Sequence, residues 1–374
     1  MEEFLNSTDI PHPGFYLREE LEARGWTQRD LAYILGVPEQ AVNMIIAGRR
    51  GISPEMAKAL ATAFDVHPDL FANLQSTYEM ARAREPDPGI ARRARLQSAY
   101  PIREMIKRGW LEDTDAAMLE VQMAQFFGVT SANDIPHLEH AAKKSHYEET
   151  PPAQLAWLFR VRQIAQGMAV PSYSEKGLRE ALPRLHAMMI DAEETRHVPR
   201  LLAECGIRFV IVECLPNAKI DGVCFWLDKK SPVIGMSLRF DRIDNFWFVL
   251  RHEIEHVLQK DGQIKEIIDA ELEGERAEDS ASLPKEERVA NSSAADFCIP
   301  SAEINSFVAR KAPFFSERDV LGFARRLQIH PGLVVGQIQK RTQRWDWLRR
   351  HLVKVRTHVL SGTMADGWGH AAPN

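Results

Sequence analysis

The spacing of apolar residues divides the chain into a helical first part and a mixed second part. From residue 13 to about 78, and again from 90 to about 202, apolar residues recur with the helical period. A segment with two prolines and a glycine, residues 85–89, interrupts this pattern, because these residues do not continue a helix. We therefore expect an N-terminal helical domain followed by a separate helical connecting region.

The pattern changes after residue 202. Three short runs of β-branched and aromatic residues follow, and turn residues separate them. The runs are 208–215, 220–227 and 232–238. They predict a small antiparallel sheet, and helical spacing resumes from Asn245 onward. The predicted fold class is therefore α+β.

Composition narrows the class of protein. The chain has 374 residues, 26% of them charged, and a net charge of -5. This length exceeds what one core usually supports, so we expect two or three domains. The acidic start lacks the features of a signal peptide, the apolar runs are too short to span a bilayer, and the four cysteines form no CxxC pair. We therefore expect a cytoplasmic protein with reduced thiols and no membrane contact.

A short stretch near the N-terminus has the local features of two helices joined by a tight turn. Thr27 is a good N-cap for a helix over 28–35. Gly36 accommodates the left-handed conformation of the turn, and Pro38 suits the start of a second helix over 39–47. Small or aliphatic residues stand where the helices would cross, at Ala32, Val42 and Ile45. This is the steric pattern of a helix-turn-helix.

The stretch and its flanks resemble the Xre/Cro-type helix-turn-helix domain, in its HigA antitoxin branch, over about residues 11–78. The flanking motifs are His12-Pro13-Gly14, Leu17-Arg18-Glu19-Glu20-Leu21, Gly48-Arg49-Arg50-Gly51-Ile52-Ser53 and Pro54-Glu55-Met56-Ala57. The resemblance implies that a homodimer binds operator DNA. It places Gln40 and Asn43 against base edges, and Gln28 and Arg49 against phosphates.

The local charge leaves a second interpretation of this domain open. Residues 1–85 contain eight Lys and Arg against thirteen Asp and Glu. A DNA-binding domain usually carries excess positive charge, because the release of counterions drives its affinity. The alternative is a helix-turn-helix that serves only for dimerisation or protein binding.

The segment His252-Glu253-Ile254-Glu255-His256 predicts a metal site. Two histidines four residues apart lie one turn apart on a helix, where they can share one zinc ion. Glu253, about 100° further round the helix, is placed to take a proton from a water molecule at that ion. A catalytic zinc site also needs a third protein ligand. Glu287 and Asn291 share a helical face, so one would ligate and the other would hold a ligand in place.

The second half of the chain resembles the ImmA/IrrE family of metallopeptidases over about residues 200–335. The motifs are Asp221-Gly222, Asn245-Phe246-Trp247-Phe248, the HExxH helix, the Glu-x-x-Ala-Asn run that leads to Ile299-Pro300, and 329–336. The resemblance implies a zincin-like domain with Glu253 as catalytic base. The zinc ligands carried over by position are His252, His256 and Glu287. Glu286 is the fallback for the third ligand.

The chain departs from the family pattern at two positions, which leaves a degenerate or purely structural zinc fold as the alternative. The family usually has a small residue at the position of Glu255, and often a glutamate at that of Val289. His330, which precedes a proline, is a candidate to stabilise a tetrahedral oxyanion. Its alternative role is that of an ordinary hydrogen-bonded histidine.

Two charged segments have open interpretations. Residues 261–287 contain ten carboxylates against three basic residues, which indicates a solvated excursion or a regulatory element. Residues 340–356 contain seven Lys and Arg, one Asp and two tryptophans. This composition fits an amphipathic terminal helix whose tryptophans pack on the domain, or a segment that binds single-stranded nucleic acid.

Together these patterns predict a DNA-binding regulator with a zinc endopeptidase domain. It would cleave a repressor, antitoxin or other partner protein to control a toxin-antitoxin, mobile-element or stress operon. The alternative is a non-enzymatic HigA-like antitoxin or repressor. The predicted domains are the helix-turn-helix domain at 1–80, the helical connecting region at 88–200, the peptidase domain at 201–310 and a helical C-terminal region at 311–374.

Overall fold

The chain forms two compact units, Met1–Asp87 and Pro88–Asn374, and the boundary between them falls in the proline-containing break. The structure is a computed structural model, and it describes residues 10–136, 150–263, 267–270 and 284–372. Within these ranges, every helix is too short or too polar to cross a membrane.

The described residues of the first unit, 10–87, form five helices, as the helical period predicts. They are α1 (Pro13–Arg24), α2 (Gln28–Leu35), α3 (Glu39–Ile46), α4 (Pro54–Phe64) and α5 (Asp69–Arg82). Their inward faces bury one apolar cluster around Leu17, Leu31 and Leu60. Ala32, Val42 and Ile45 are buried, as predicted for the inward faces of these two helices.

Local sequence signals set the ends of α2. The side chain of Thr27 accepts a hydrogen bond from the backbone N–H of Asp30, and the Asp30 carboxylate accepts one from the backbone N–H of Thr27 at 2.8 Å. Gly36 ends the helix with φ of 65°, a conformation that favours glycine. The predicted cap and turn are therefore confirmed.

Six α-helices precede or flank the sheet of the second unit within residues 88–136 and 150–207. They are α6 (Gly89–Ala99), α7 (Ile102–Lys107), α8 (Ala116–Phe126), α9 (Pro152–Gln166), α10 (Glu175–Ala187) and α11 (Val198–Glu204). Helix α9 covers one face of the sheet: the Trp157 indole donates to the Val212 carbonyl at 2.9 Å. The region predicted as a connector thus packs on the sheet within the same compact unit.

The sheet has five strands in the order β4-β2-β3-β1-β5. The strands are β1 (Arg208–Val212), β2 (Ile220–Trp226), β3 (Pro232–Met236), β4 (Ile267–Ala270) and β5 (Met364–Asp366). Strands β2 and β3 are antiparallel, as are β2 and β4, whereas β1 runs parallel to both β3 and β5. The sheet is therefore mixed.

The prediction of a purely antiparallel sheet was wrong. The first apolar run lies next to the third run instead of the second, and parallel to it. Strand β1 is apolar on both faces from Phe209 to Val212, because α9 covers one side and the main core covers the other. Such continuous apolar runs are typical of strands in the parallel part of a sheet, with both faces buried.

In the described residues after β3, the chain forms six further α-helices. They are α12 (Ile243–Gln259), α13 (Lys285–Cys298), α14 (Ser301–Lys311), α15 (Glu317–Leu327), α16 (Pro331–Thr342) and α17 (Arg356–Val359). Helix α12 packs mainly against α13, β2 and α16. Strand β4 and both ends of the acidic segment 261–287 are described. The rest of that segment lies outside the described residues.

The basic segment 340–356 does not form the terminal helix that one interpretation predicted. Helix α16 ends at Thr342, and the chain continues through turns and a short 3₁₀ helix, Arg349–His351. Trp347 packs against the main core and against Phe315, as the packing interpretation expects. The guanidinium of Arg350 pairs with Glu317. The predicted contact with single-stranded nucleic acid stays a prediction.

A buried ion pair fixes the edge strand β5. Arg160 on α9 donates two hydrogen bonds to the Asp366 carboxylate, at 2.6 and 2.9 Å, and a third to the carbonyl of Ala372. The Trp110 indole donates to the other oxygen of Asp366 at 2.8 Å. Arg160 and Asp366 are 2% and 1% exposed, so this edge of the sheet is held in place by a buried ion pair.

Candidate metal centre and DNA-binding face

The helix that contains the two histidines, α12, is buried on nearly all sides. Its apolar residues, among them Leu250, Ile254 and Val257, belong to the main core of the second unit. His252, Glu253 and His256 are 0% exposed. Burying three such side chains on one helix is costly unless each has a specific partner or ligand. The partners therefore define what the cluster is suited to hold.

His252, His256 and Glu287 converge on one point. The two Nε2 atoms are 3.0 Å apart, and the Glu287 carboxylate oxygens lie 3.3 Å from Nε2 of His252 and 3.5 Å from Nε2 of His256. The structure thus brings together the three predicted ligands, which offer ligand atoms within 4.8 Å of one another. Helix α13 supplies Glu287 because it packs along α12.

These separations match a tetrahedral ion. Zinc–nitrogen bonds of about 2.0–2.1 Å at tetrahedral angles place two ligand atoms about 3.3–3.4 Å apart. Two imidazole nitrogens and one carboxylate are also the donor set of catalytic zinc sites, which leave a fourth position for water. The residues present therefore fit the zinc ion that the sequence predicts.

The outer nitrogens of both histidines are held by oxygen acceptors. Nδ1 of His252 donates to Oδ1 of Asn291 at 3.2 Å, and Nδ1 of His256 donates to Oδ2 of Asp261 at 3.0 Å. With the proton on Nδ1, each ring directs the lone pair of Nε2 toward the cluster. Of the two candidates, Asn291 lies against the outer nitrogen of His252, whereas Glu287 faces both Nε2 atoms.

Asp261 is a site residue that the sequence interpretation missed. It follows the C-cap of α12, Lys260, whose φ of 62° turns the chain back toward the helix. The Trp226 indole donates to the Asp261 carbonyl at 2.9 Å, which ties this turn to β2. A Cβ at Gly262 would lie 2.7 Å from the carbonyl of Cys224, so the turn passes close to the strand. The available signal was an acidic residue just beyond the HExxH helix.

The predicted catalytic base, Glu253, points toward the sheet. Its carboxylate lies against Gly222 of β2, where a Cβ atom would overlap it. Gly222 therefore makes room for the base, and Arg239 holds the neighbouring Asp221 through two hydrogen bonds of 3.0 and 3.3 Å. The structure thus places the Asp221-Gly222 motif next to the HExxH helix.

Glu255 belongs to a separate set of contacts. It accepts hydrogen bonds from Arg251 and Gln259, each at 2.7 Å. Burial raises the pKa of Glu255, but these bonds and the Arg251 charge outweigh it and hold the pKa below its ordinary value. Arg251 in turn lies over the ring of Phe297 on α13. The residue that departs from the family pattern is thus engaged in helix packing.

The other candidates lie outside the cluster. Glu286, the fallback ligand, is exposed, and so is Val289. His330 caps α16, where its Nδ1 accepts from the backbone N–H of Gly332 at 3.0 Å. Gly332 packs on Ile243 at the start of α12, and nine residues of helix place that point about 13 Å from His252 along the axis. The role of His330 in stabilising an oxyanion stays a prediction.

In the first unit, the predicted DNA contacts lie on α2, on α3 and in the turn after α3. Gln40 and Asn43 are exposed on α3, and Arg49 is exposed in the turn that follows it. Gln28 is half-buried in the first turn of α2. A Cβ at Gly14 would overlap the carbonyl of Ile45, so α1 crosses α3 closely and holds it in place. The face of α3 that contains Gln40 and Asn43 is exposed and does not pack into the core of this unit.

Comparison with known proteins bears on this first unit. Residues 17–71 match the model of a family described as helix-turn-helix. Virulence-associated protein A of Dichelobacter nodosus is 32% identical over 98 residues, which are 26% of this chain and 93% of that protein. The chain belongs to the helix-turn-helix family.

Two further similar proteins each match about a fifth of this helix-turn-helix protein. Virulence-associated protein A′ of Dichelobacter nodosus is 36% identical over 76 residues, 20% of this chain and 66% of that protein. The solved structure of the Pseudomonas aeruginosa antitoxin HigA with the higBA promoter is 39% identical, over 20% of this chain and 80% of that one, with a TM-score of 0.19. The family assignment rests on sequence and concerns the first unit.

Proposed function

We propose that this helix-turn-helix protein is a DNA-binding regulator whose second unit is a zinc-dependent endopeptidase. The observation that carries the proposal is the convergence of His252, His256 and Glu287, with the carboxylate of Glu253 on the same helix. The donor set and its spacing are those of hydrolytic zinc sites, and the oxygen acceptors on both histidines support this interpretation.

Each residue of the cluster has a distinct role in the proposed hydrolysis. His252, His256 and Glu287 would hold the ion. When bound, zinc supplies the Lewis acidity that polarises a peptide carbonyl. Glu253 takes a proton from the attacking water at a carboxylate oxygen and passes it to the leaving amine. Gly222 permits the Glu253 side chain to lie against β2, and Asp261 and Asn291 fix the histidine rings.

The first unit would direct the protein to operator DNA as a homodimer. The Pseudomonas aeruginosa antitoxin HigA is described with the higBA promoter, and its sequence is 39% identical to this chain over the shared region. By this likeness, Gln40 and Asn43 would meet base edges in the major groove, with Gln28 and Arg49 on the phosphates. Their exposure supports this assignment for Gln40, Asn43 and Arg49.

The peptidase proposal is tested by co-expressing the full chain with each neighbouring gene product and searching for a fragment. Glu253→Gln is expected to keep one zinc per chain and to abolish the fragment, because an amide does not accept the water's proton. Glu287→Gln is expected to lose most of the metal. The matched control is Glu286→Gln on the exposed side of α13, which is expected to keep both metal and cleavage. Cleavage by Glu253→Gln at the wild-type rate contradicts the assigned base.

A second candidate function is a non-enzymatic antitoxin or repressor, in which the second unit only binds a partner. This candidate is favoured by the fact that one of the similar proteins is described as an antitoxin. The same co-expression separates the two functions. Stable co-purification of an uncleaved partner with zinc-loaded wild-type protein supports the antitoxin, whereas a fragment that depends on Glu253 supports the peptidase.

A further inference from the structure

The two edges of the sheet are built differently. Strand β5 is fixed by the buried Arg160–Asp366 pair. Strand β4 has only four residues, and its two described side chains, Ile267 and Ile268, are both only partly buried. An edge strand whose described side chains are only partly buried opens at a smaller free-energy cost than one locked by buried charged groups. Among the described strands at the two edges, β4 is therefore the one suited to detach.

Strand β4 covers the part of the sheet that adjoins the candidate base. It pairs antiparallel with β2, and its register places residue 269 opposite Gly222 and Ile268 opposite Val223. The Glu253 carboxylate lies against Gly222 on the same strand. The main chain of β4 therefore passes the part of β2 where the Glu253 carboxylate lies against Gly222.

An extended polypeptide would fit the same edge. A strand edge recognises peptides through main-chain hydrogen bonds, which depend little on the side chains of the bound segment. All seven residues of β2 are buried, and β4 covers the side of β2 that β3 leaves open. If β4 leaves, that edge offers its N–H and C=O groups beside Glu253.

We infer that the β2 edge is the binding site for the extended main chain of the polypeptide substrate, and that β4 is an internal competitor for it. This inference rests on the proposed peptidase function, whose substrate it describes as an unfolded or extended segment. The chain is then restrained by its own strand: a substrate binds only to the fraction of molecules in which β4 has detached, and its apparent affinity falls by that fraction.

The test weakens β4 in the full, zinc-loaded chain. Ile268 packs against the apolar cluster under α9, so Ile268→Asp is expected to release the strand. The control is Ile190→Asp, which makes the same chemical change at an exposed site. The probe is a labelled peptide with the sequence of residues 265–272, and its scrambled version measures nonspecific binding. In this assay every protein also carries Glu253→Gln, so that the probe survives.

We expect Ile268→Asp to bind the probe about tenfold or more tightly than the parent or the Ile190→Asp control. Hydrogen exchange should accelerate at β2 amides while β3 stays protected. Ile268→Gly, which adds no charge, is expected to act in the same direction. If the folded variants bind the probe no better than the parent, and β2 exchange is unchanged, the inference is overturned.

Cleavage separates this inference from the peptidase proposal. With Glu253 intact, Ile268→Asp is expected to hydrolyse unfolded casein faster than wild type. Suppose that wild type cleaves casein, but that Ile268→Asp neither cleaves it faster nor binds the probe more tightly. This result overturns the role of β4 as a competitor and leaves the peptidase proposal intact. Tighter probe binding with no hydrolysis by any zinc-loaded protein supports the edge site and contradicts the peptidase.

Discussion

The contact between His256 and Asp261 gives the sharpest quantitative prediction about the metal centre. Asp261→Ala removes the acceptor 3.0 Å from Nδ1, after which the ring no longer has a fixed orientation or tautomer. Losing such a partner usually weakens metal binding by about 10–100-fold. Because this acceptor is a charged carboxylate, we expect a value near the upper end, which corresponds to about 2.7 kcal/mol.

Asn291→Ala provides an internal scale for that value. The Asn291 amide is a neutral acceptor at the longer distance of 3.2 Å from His252, and hydrogen bonds to charged groups are roughly twice as strong as neutral ones. We therefore expect Asn291→Ala to weaken zinc binding by only about tenfold. Which of the two variants binds zinc more weakly is as informative as the size of each loss in affinity.

The assay is a competition titration of the full chain against a zinc chelator of known affinity. Asp346→Ala, an exposed residue outside the cluster, is the control for losing one negative charge. The Trp226 bond to the backbone of residue 261 is kept in Asp261→Ala, so the turn is expected to stay in place. Equal zinc affinities for Asp261→Ala and Asp346→Ala would refute the proposed support of His256.

Three further predictions concern stability and DNA. Asp366→Ala leaves Arg160 as an uncompensated buried charge, so chemical denaturation should show a loss of about 3–5 kcal/mol in unfolding free energy, and a loss below about 1 kcal/mol contradicts this. Gln40→Ala and Asn43→Ala should each weaken binding to the operator by about 1–3 kcal/mol in a titration, with less effect on unrelated DNA. Burial lowers the pKa of His330 below 6.5, so the unfolded state binds a proton at a higher pH than the folded state does. The contribution of His330 to stability is therefore complete above pH 6.5, and it is lost as the pH falls below that value. His330→Asn keeps a capping side chain and should flatten that pH dependence, and an unchanged slope argues against this origin.

The sequence predicts contacts that arise within one helix or one turn. The spacing of His252 and His256, the cap at Thr27 and the turn at Gly36 are local properties, and the structure has each of them. The pairing of Glu287 with the histidines was carried over from a family resemblance. Its position on α13 then agrees with that assignment.

Contacts between distant segments could not be predicted in the same way. Met364–Asp366 is too short to show a strand pattern, and it lies beside β1, where the distant Arg160 pairs with Asp366. Asp261 could not be told apart from the other carboxylates of the acidic segment, because its role depends on the backbone turn at Lys260. The order of the strands likewise depends on which faces the helices cover.

The position of β5 has a consequence for the order in which the protein folds during synthesis. Arg160 and Asp366 are 206 positions apart in the chain, whereas the helix-turn-helix unit is complete by Asp87. Domains generally fold as units as the chain emerges from the ribosome, N-terminal first, and distant pairings are slow to form. The first unit would therefore reach its native state while the sheet still lacks an edge. A nascent chain passes through a stage in which its helix-turn-helix is folded and its second unit is not.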